Sequence, residues 1–226
     1  VSAVQKDPKT YEHIEPKLVG NQRNIVVSDQ SGKSNIISRL KTIGIEVDNE
    51  DPKIKKILNE VKDREFIGYS YDGADASFEL LARRIIGEIP TYLTISEYDV
   101  SVKKNNKGKI ISIAKAHILV DGNEVVCEGE GNGPVNALDN AIRKNVDKVG
   151  KYSKYLKDLK LVDYKVRILN TGTEAITRVS IESTDSKGKN WFTIGVSTNI
   201  IEASFKALID SLDYKLFKEQ APASKL

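Results

Sequence analysis

Residues 122–141 (GNEVVCEGEGNGPVNALDNA) and residues 188–207 (GKNWFTIGVSTNIIEASFKA) repeat one pattern at an offset of 66 positions. In both stretches a turn glycine precedes a strand-like run, a second glycine lies near its end, and two alanines follow at helical spacing. The aligned pairs are Gly122 with Gly188, Gly129 with Gly195, Ala137 with Ala203, Ala141 with Ala207, and, upstream, Tyr98 with Tyr164 and Val100 with Val166. No gap is needed, so the second half of the chain is predicted to be an internal duplication.

Each copy is predicted to fold as three strands followed by one helix. The strands are expected at 95–103, 110–120 and 124–130 in the first copy and at 163–169, 176–184 and 190–197 in the second, with helices at 134–149 and 200–212. Asp121-Gly122 and Lys187-Gly188 supply hairpin turns. A single βββα unit buries its apolar face poorly, so the two copies are expected to pack together around a pseudo-twofold axis.

The residues before the duplication are predicted to form small helices at 34–43, 52–66 and 77–86, with one strand candidate at 24–28. Asp51 is placed to cap the second helix, and Asp75 or Ser77 the third. Helical spacing gives way to alternating strands at residues 87–90. The predicted fold class is α+β, with an accessory subdomain at 1–50, a helical linker subdomain at 51–90 and a duplicated βββα domain at 91–226.

Composition excludes several classes of protein. The 35 basic and 32 acidic residues of this 226-residue chain are interspersed, which does not indicate binding to nucleic acid or to an anionic membrane. No apolar run approaches the roughly 18 residues of a membrane span. The single cysteine, Cys127, lies in a strand-like run, where a half-buried filler is expected, and a reducing cytoplasm fits. The chain contains no methionine, even at position 1, so we expect it to be a piece of a longer protein.

Few motifs indicate chemistry. The corner at 129–134 carries three alternate glycines before a helix that begins with proline, which fits either an anion site or a tight turn that needs positive φ. The stretch 28–34 resembles a P-loop but has Val27 where the leading glycine belongs, so nucleotide binding is not expected. His13 and His117 lack partners at metal-ligand spacing, no metal site is predicted, and no set of nucleophile, base and orienting group is visible.

Four stretches resemble a known enzyme family. Residues 11–23 (YEHIEPKLVGNQR) and 31–35 (SGKSN) are similar to the segment after the catalytic TIM barrel in the 2-isopropylmalate, citramalate and homocitrate synthases. Residues 68–81 (GYSYDGADASFELL) resemble the citramalate branch in particular. Residues 131–138 and 195–204 resemble the paired corners of the C-terminal regulatory domain. The resemblance covers almost the whole chain.

This resemblance implies an acyltransferase that condenses acetyl-CoA with a 2-oxo acid, which is pyruvate in the citramalate branch, with a divalent metal in a preceding barrel. No cofactor and no catalysis are then expected for this stretch alone. The segment after the barrel can reach the active site of the partner subunit, so Tyr11 and His13 are accessory candidates. The implied protein partners are the barrel of the same polypeptide and that of the partner subunit, and the implied location is the cytoplasm.

The resemblance also implies a regulatory domain that forms a homodimer and binds an amino acid at the dimer interface, with the helices at 51–86 carrying the signal. Isoleucine is expected from pathway logic, and the alternative is leucine in a 2-isopropylmalate synthase; a purely structural dimerisation module is a third possibility. The matching effector-binding positions are Gly131, Gly133, Pro134, Val135, Ala137, Leu138, Leu161, Tyr164, Ile168, Asn199, Ile200, Ala203 and Ser204.

Overall fold

The computed structural model describes residues 14–20, 33–46, 51–170, 172 and 175–225. The strand candidate at 24–28, the accessory candidates Tyr11 and His13, and residues 28–32 of the P-loop-like stretch lie outside these ranges. Two compact units divide between Gly73 and Ala74. This division differs from the boundary expected near residue 90, and the contacts of the helix at Asp75–Ile86 explain the difference.

The first unit contains the two helices that the sequence predicts. A 3₁₀ turn spans Pro16–Val19, helix α1 spans Lys33–Thr42 and helix α2 spans Pro52–Phe66. The Asp51 carboxylate accepts a hydrogen bond from the Lys53 N–H at 2.8 Å, which confirms the predicted cap of α2. The buried apolar side chains on these helices are Ile36 and Leu40 on α1 and Ile54, Ile57 and Val61 on α2.

The second unit contains the duplication. Its elements are, in order, α3 (Asp75–Ile86), β1 (Thr94–Lys104), β2 (Ile110–Val120), β3 (Asn123–Gly131), α4 (Pro134–Arg143), a 3₁₀ segment (Val146–Tyr152), α5 (Ser153–Leu156), β4 (Lys160–Ile168), β5 (Thr177–Thr184), β6 (Asn190–Ser197) and α6 (Ile200–Lys218). The strands form two antiparallel sheets, β1-β2-β3 and β4-β5-β6. This architecture confirms the predicted α+β fold with a repeated βββα unit. Among the described residues, no helix has the length and apolar character needed to cross a membrane.

The helix of the first repeat ends earlier than predicted. It stops at Arg143 rather than near residue 149, because the Asn145 side-chain amide donates to the Ala141 carbonyl at 2.9 Å and to the Glu128 carbonyl at 2.8 Å. The first bond satisfies the Ala141 carbonyl in place of a backbone N–H, and the second connects the end of the helix to β3. The hairpin turn at Asp121 and Gly122 is as predicted, since both residues have positive φ, 52° and 75°, as a two-residue type I′ turn requires.

The repeated glycines and alanines are explained by close packing of helix on strand. A Cβ atom at Gly195 would lie 2.0 Å from the Ala203 carbonyl oxygen, and one at Gly129 would lie 2.2 Å from the Ala141 nitrogen. A Cβ at Gly131 would lie 2.5 Å from the Ala137 nitrogen. The interpretation as a turn with positive φ is wrong for Gly129 and Gly131, because φ is not positive at either position and helix backbone covers both.

Helix α3 is bonded to the last helix and to the edge of the second sheet, which places it in the second unit. The Ser77 hydroxyl accepts from the Ile194 N–H of edge strand β6 at 3.0 Å and donates to Asp210 at 3.1 Å. Arg84 pairs with Asp210 at 2.8 Å and with Asp213 at 2.7 Å. The prediction that Asp75 or Ser77 caps α3 is wrong, because Ala74 is the N-cap and no side chain bonds there. Ser77 is engaged by the sheet edge instead.

The α3–α6 contact contains one carboxyl with an altered affinity for protons. Burial raises the pKa of Asp213 from 3.8 to about 6, and nearby Asp210 adds to this, although Arg84 opposes the shift. The native carboxyl thus holds its proton at pH values where the unfolded chain has lost it. Its contribution to the free energy of unfolding therefore falls as pH rises from about 4 to about 6.

An Asp213→Asn variant should lack this dependence. The free energy of unfolding of the variant minus that of the unmodified chain is expected to increase by up to about 3 kcal/mol from about pH 4 to about pH 7. Urea denaturation of both proteins at the two pH values measures the change, and groups that titrate in both proteins cancel in the difference. A constant difference between the two proteins would contradict the prediction.

Candidate functional site

In the second unit the helix of one repeat meets the first-strand region of the other at two places, α6 at β1 and α4 at β4, which we call the first and the second groove. The first groove, between α6 and β1, is filled by side chains. The Tyr98 ring stacks on the Phe205 ring with centroids 4.4 Å apart, and the Tyr98 hydroxyl donates to Glu202 at 2.5 Å. Burial and the bond to Glu202 raise the pKa of Tyr98 to about 12. Tyr98 and Phe205 are partly buried against the apolar core, as are Ile95 and Ile209.

The second groove, between α4 and β4, has a different filling. Asp139 and Arg143 of α4 form a bidentate ion pair, and Arg143 Nη1 donates to the Leu159 carbonyl at 3.3 Å. Asp139 is only 4% exposed. A cavity of about 10 Å³ lies beside this pair and Leu161, with Ser211 of α6 on its far side, and that volume suits about one water molecule.

The predicted apolar residues of β4 lie near the start of α6. Leu161 and Tyr164 pack against a cluster that includes Ala203, and the Tyr164 hydroxyl lies 2.8 Å from the Ser204 hydroxyl. Burial raises the pKa of Tyr164. Further along β4, Ile168 is 68% exposed. The strand side of the second groove is therefore apolar: it packs against α6 at Leu161 and Tyr164 and is exposed at Ile168.

The two helix starts differ in how their N–H groups are used. At α6 the Asn199 side chain accepts from the Ile201 N–H at 2.8 Å and from the Glu202 N–H at 3.3 Å. At α4 the aligned N-cap residue is Gly133, and no side chain of the described residues caps this start. Because N–H groups at a helix start attract anions, the start of α4 is the one left available for a carboxylate.

The structure divides the predicted effector positions into accessible and buried ones. Gly133, Pro134 and Val135 are partly exposed at the start of α4, and Ile200 is exposed at the start of α6. Ala137 and Leu138 are fully buried in a core cluster to which both repeats contribute. Ala203 and Ser204 are likewise buried.

Sequence reasoning missed the pair Asp139 and Arg143 and the ring of Phe205. The signal was present in the repeat itself, because the offset of 66 aligns Asp139 with Phe205 and Arg143 with Ile209. The predictions from the repeat rested on positions where the two copies carry the same residue. The mismatches distinguish the two grooves.

Residues that the sequence analysis set aside occupy ordinary structural positions. Cys127 is fully buried in β3, and burial raises the pKa of its thiol, as expected for a filler. His117 faces Glu124 on the neighbouring strand at 3.4 Å. Within the described ranges, no group of three or more His, Cys, Asp and Glu side chains could hold a metal ion.

Residues 72–216, well over half of the chain, match the model of the LeuA allosteric (dimerisation) domain. The chain belongs to this LeuA domain family. Residues 1–66 match a second model, the homocitrate synthase post-HMGL domain-like family. The LeuA match includes both grooves and helix α3, and the recognition of a regulatory region from the sequence is confirmed.

Three relatives of this LeuA-domain chain are (R)-citramalate synthases. It is 47% identical over 222 residues to the (R)-citramalate synthase of Aquifex aeolicus, which is 97% of this chain and 41% of that protein. It is 44% identical to the (R)-citramalate synthase of Geobacter sulfurreducens over 97% of this chain and 42% of that protein. For the (R)-citramalate synthase of Sulfolobus acidocaldarius the identity is 42%, over 99% of this chain and 41% of that protein. The chain thus spans about two fifths of the length of these relatives.

Proposed function

We propose that this chain is the amino-acid-sensing region of a citramalate synthase and that it binds isoleucine as a feedback inhibitor at the interface between two copies. The whole enzyme would be an acyltransferase that condenses acetyl-CoA with pyruvate. The observation that carries the proposal is the second groove of a LeuA domain, which combines an uncapped helix start with an apolar strand.

The direction of α4 against β4 supports one continuous site. Arg143 bonds to the Leu159 carbonyl, and Asp139 and Leu161 line the same cavity, so we infer that residue numbers fall along α4 as they rise along β4. A helix rises about 1.5 Å per residue and a strand about 3.3 Å. The six residues from Asp139 back to Gly133 cover about 9 Å and the three from Leu161 to Tyr164 about 10 Å, so the start of α4 comes level with Tyr164.

The chemistry of this site matches the two ends of an apolar amino acid. The carboxylate is placed at the start of α4, where Gly133 contributes no competing acceptor. The aliphatic side chain is placed against Tyr164, on the side of the exposed Ile168, because the cavity of about 10 Å³ beside Leu161 is too small for it. The start of α6 is a poorer carboxylate site, since Asn199 already accepts from its N–H groups.

A second copy of the chain suits the exposed apolar residues beside this site. Strand β4 is an edge strand of its sheet, and Val162, Val166 and Ile168 on it are exposed, as is Ile200. Exposed apolar side chains on an unpaired edge favour association with another chain. A dimer across this edge would cover the ligand and couple its binding to the packing of the two copies.

The signal is proposed to leave the site through α3. On α3, Arg84 forms ion pairs with Asp210 and Asp213 of α6, and Ser77 forms hydrogen bonds with Asp210 and with β6. A movement of α6 would therefore also move α3. An effector can shift such an equilibrium only by its difference in affinity for the two states, typically about 1–3 kcal/mol.

Isothermal titration of the 226-residue chain with isoleucine, leucine and pyruvate tests the proposal. We expect saturable binding of isoleucine, weaker binding of leucine and no binding of pyruvate. Because the two isomers differ in the place of one methyl group, the preference is expected to be about tenfold. A preference for leucine would indicate the regulatory region of a 2-isopropylmalate synthase. If none of the three compounds bound, a structural dimerisation module would be the remaining interpretation.

A further inference from the structure

We propose that the first groove is a copy of the effector site that the chain fills with its own side chains, Phe205 and Asn199, so that each chain takes one amino acid, in the second groove only. This inference rests on the proposed function. It adds the stoichiometry of the site and the residues that set it.

The apolar part of the first groove is occupied by a ring. Phe205 stacks on Tyr98 at 4.4 Å, and both are partly buried among apolar residues of the core. At the aligned positions of the second groove the residues are Asp139 and Tyr164. The Asp139 side chain turns to Arg143 instead, a cavity lies beside it, and no ring stacked on Tyr164 is found within the described ranges. The aromatic filling is therefore present in one groove and missing from its counterpart.

The polar part of the first groove is occupied as well. The Asn199 side-chain oxygen bonds to the N–H groups of Ile201 and Glu202, which is the position that a ligand carboxylate would take at this helix start. The aligned residue in the second groove is Gly133, which has no side chain. Both chemical ends of an amino acid thus have an internal substitute in the first groove. In the second groove Gly133 leaves the helix start without a side-chain cap, although the Asn136 oxygen accepts from the Asn132 N–H at 3.3 Å just before it, and Tyr164 bonds to the Ser204 hydroxyl instead of stacking on a ring.

This difference gives the effector a structural consequence. The filled first groove joins α6 to β1 through the Tyr98 ring and through its hydroxyl, which donates to Glu202 and lowers the pKa of that carboxyl. An amino acid in the second groove would join α4 to β4 in the corresponding way. Binding then makes the two halves of the domain alike.

The first test opens the filled groove. In isothermal titration the unmodified chain is expected to bind one isoleucine per chain, and the double variant Phe205→Ala with Asn199→Gly to bind two. A Phe205→Leu variant keeps an apolar filler and should still bind one. If the double variant kept its circular dichroism spectrum and bound only one isoleucine per chain, the inference would be overturned. If the unmodified chain bound two, the inference would also be overturned, but the proposed function would still stand.

The converse test fills the open groove and does not depend on the first variant folding. Asp139→Phe combined with Arg143→Ile copies the residues found at 205 and 209. This variant should retain its circular dichroism spectrum and bind isoleucine about tenfold or more weakly. Undiminished binding by this folded variant would contradict the inference. If the unmodified chain itself bound no amino acid, the proposed function would fail, and this inference with it.

Discussion

A Gly133→Asn variant should bind isoleucine roughly tenfold more weakly than the unmodified chain, because the new side chain would cap α4 and compete with the ligand carboxylate. Asn199 shows this bonding at the aligned start of α6, with its oxygen 2.8 Å from the Ile201 nitrogen. Gly133 has φ −153° and ψ 166°, and a Cβ built there meets no atom within 4 Å, so the backbone and the surrounding space accept asparagine. Isothermal titration measures the change in dissociation constant.

The matched control is Gly133→Ala, which adds a Cβ without an acceptor. We expect its affinity for isoleucine to stay within about threefold of the unmodified value and its stability to fall by less than about 1 kcal/mol. Asparagine at position 133 should, in contrast, leave stability equal or slightly higher. If alanine and asparagine weakened binding equally, the start of α4 would not be the carboxylate site.

Replacing Gly195 by alanine should lower the free energy of unfolding by about 3 kcal/mol or more, because helix backbone occupies the place of the new methyl group. The added Cβ would lie 2.0 Å from the Ala203 carbonyl oxygen and 2.9 Å from the Ala207 nitrogen. These are backbone atoms, which cannot move aside without shifting the helix. The Thr193 hydroxyl also holds α6 to β6, since it donates to the Ala207 carbonyl at 2.8 Å.

Urea denaturation of the Gly195→Ala variant provides the measurement, with Gly133→Ala as the reference for a glycine that has open space around it. Gly129→Ala is expected to behave like Gly195→Ala, since its Cβ would lie 2.2 Å from the Ala141 nitrogen. A loss of less than about 0.5 kcal/mol at Gly195 would show that α6 does not need to approach β6 so closely.

Much of the fold could be predicted because its determinants are local. The strands at Ile110–Val120 and Asn190–Ser197 and the helix at Pro52–Phe66 have the predicted bounds, since alternation, helical spacing and a capping aspartate are read within one segment. The end of α4 was misplaced because Asn145 bonds to a strand far from it in the sequence. The cap of α3 was misassigned for the same reason, since Ser77 bonds to β6 and α6.

By itself the sequence determined that the second half of this protein is a duplication, because the two copies share glycines and alanines at an offset that needs no gap. It also located the corners and the apolar strand to which the effector is assigned. Only the tertiary structure decided that the two grooves differ. The stacking of Phe205 on Tyr98 and the cavity beside Asp139 each join residues from separate segments, and such contacts exist only after the halves have packed together. The capping by Asn199 is local, since it bonds to residues two and three positions further along the chain.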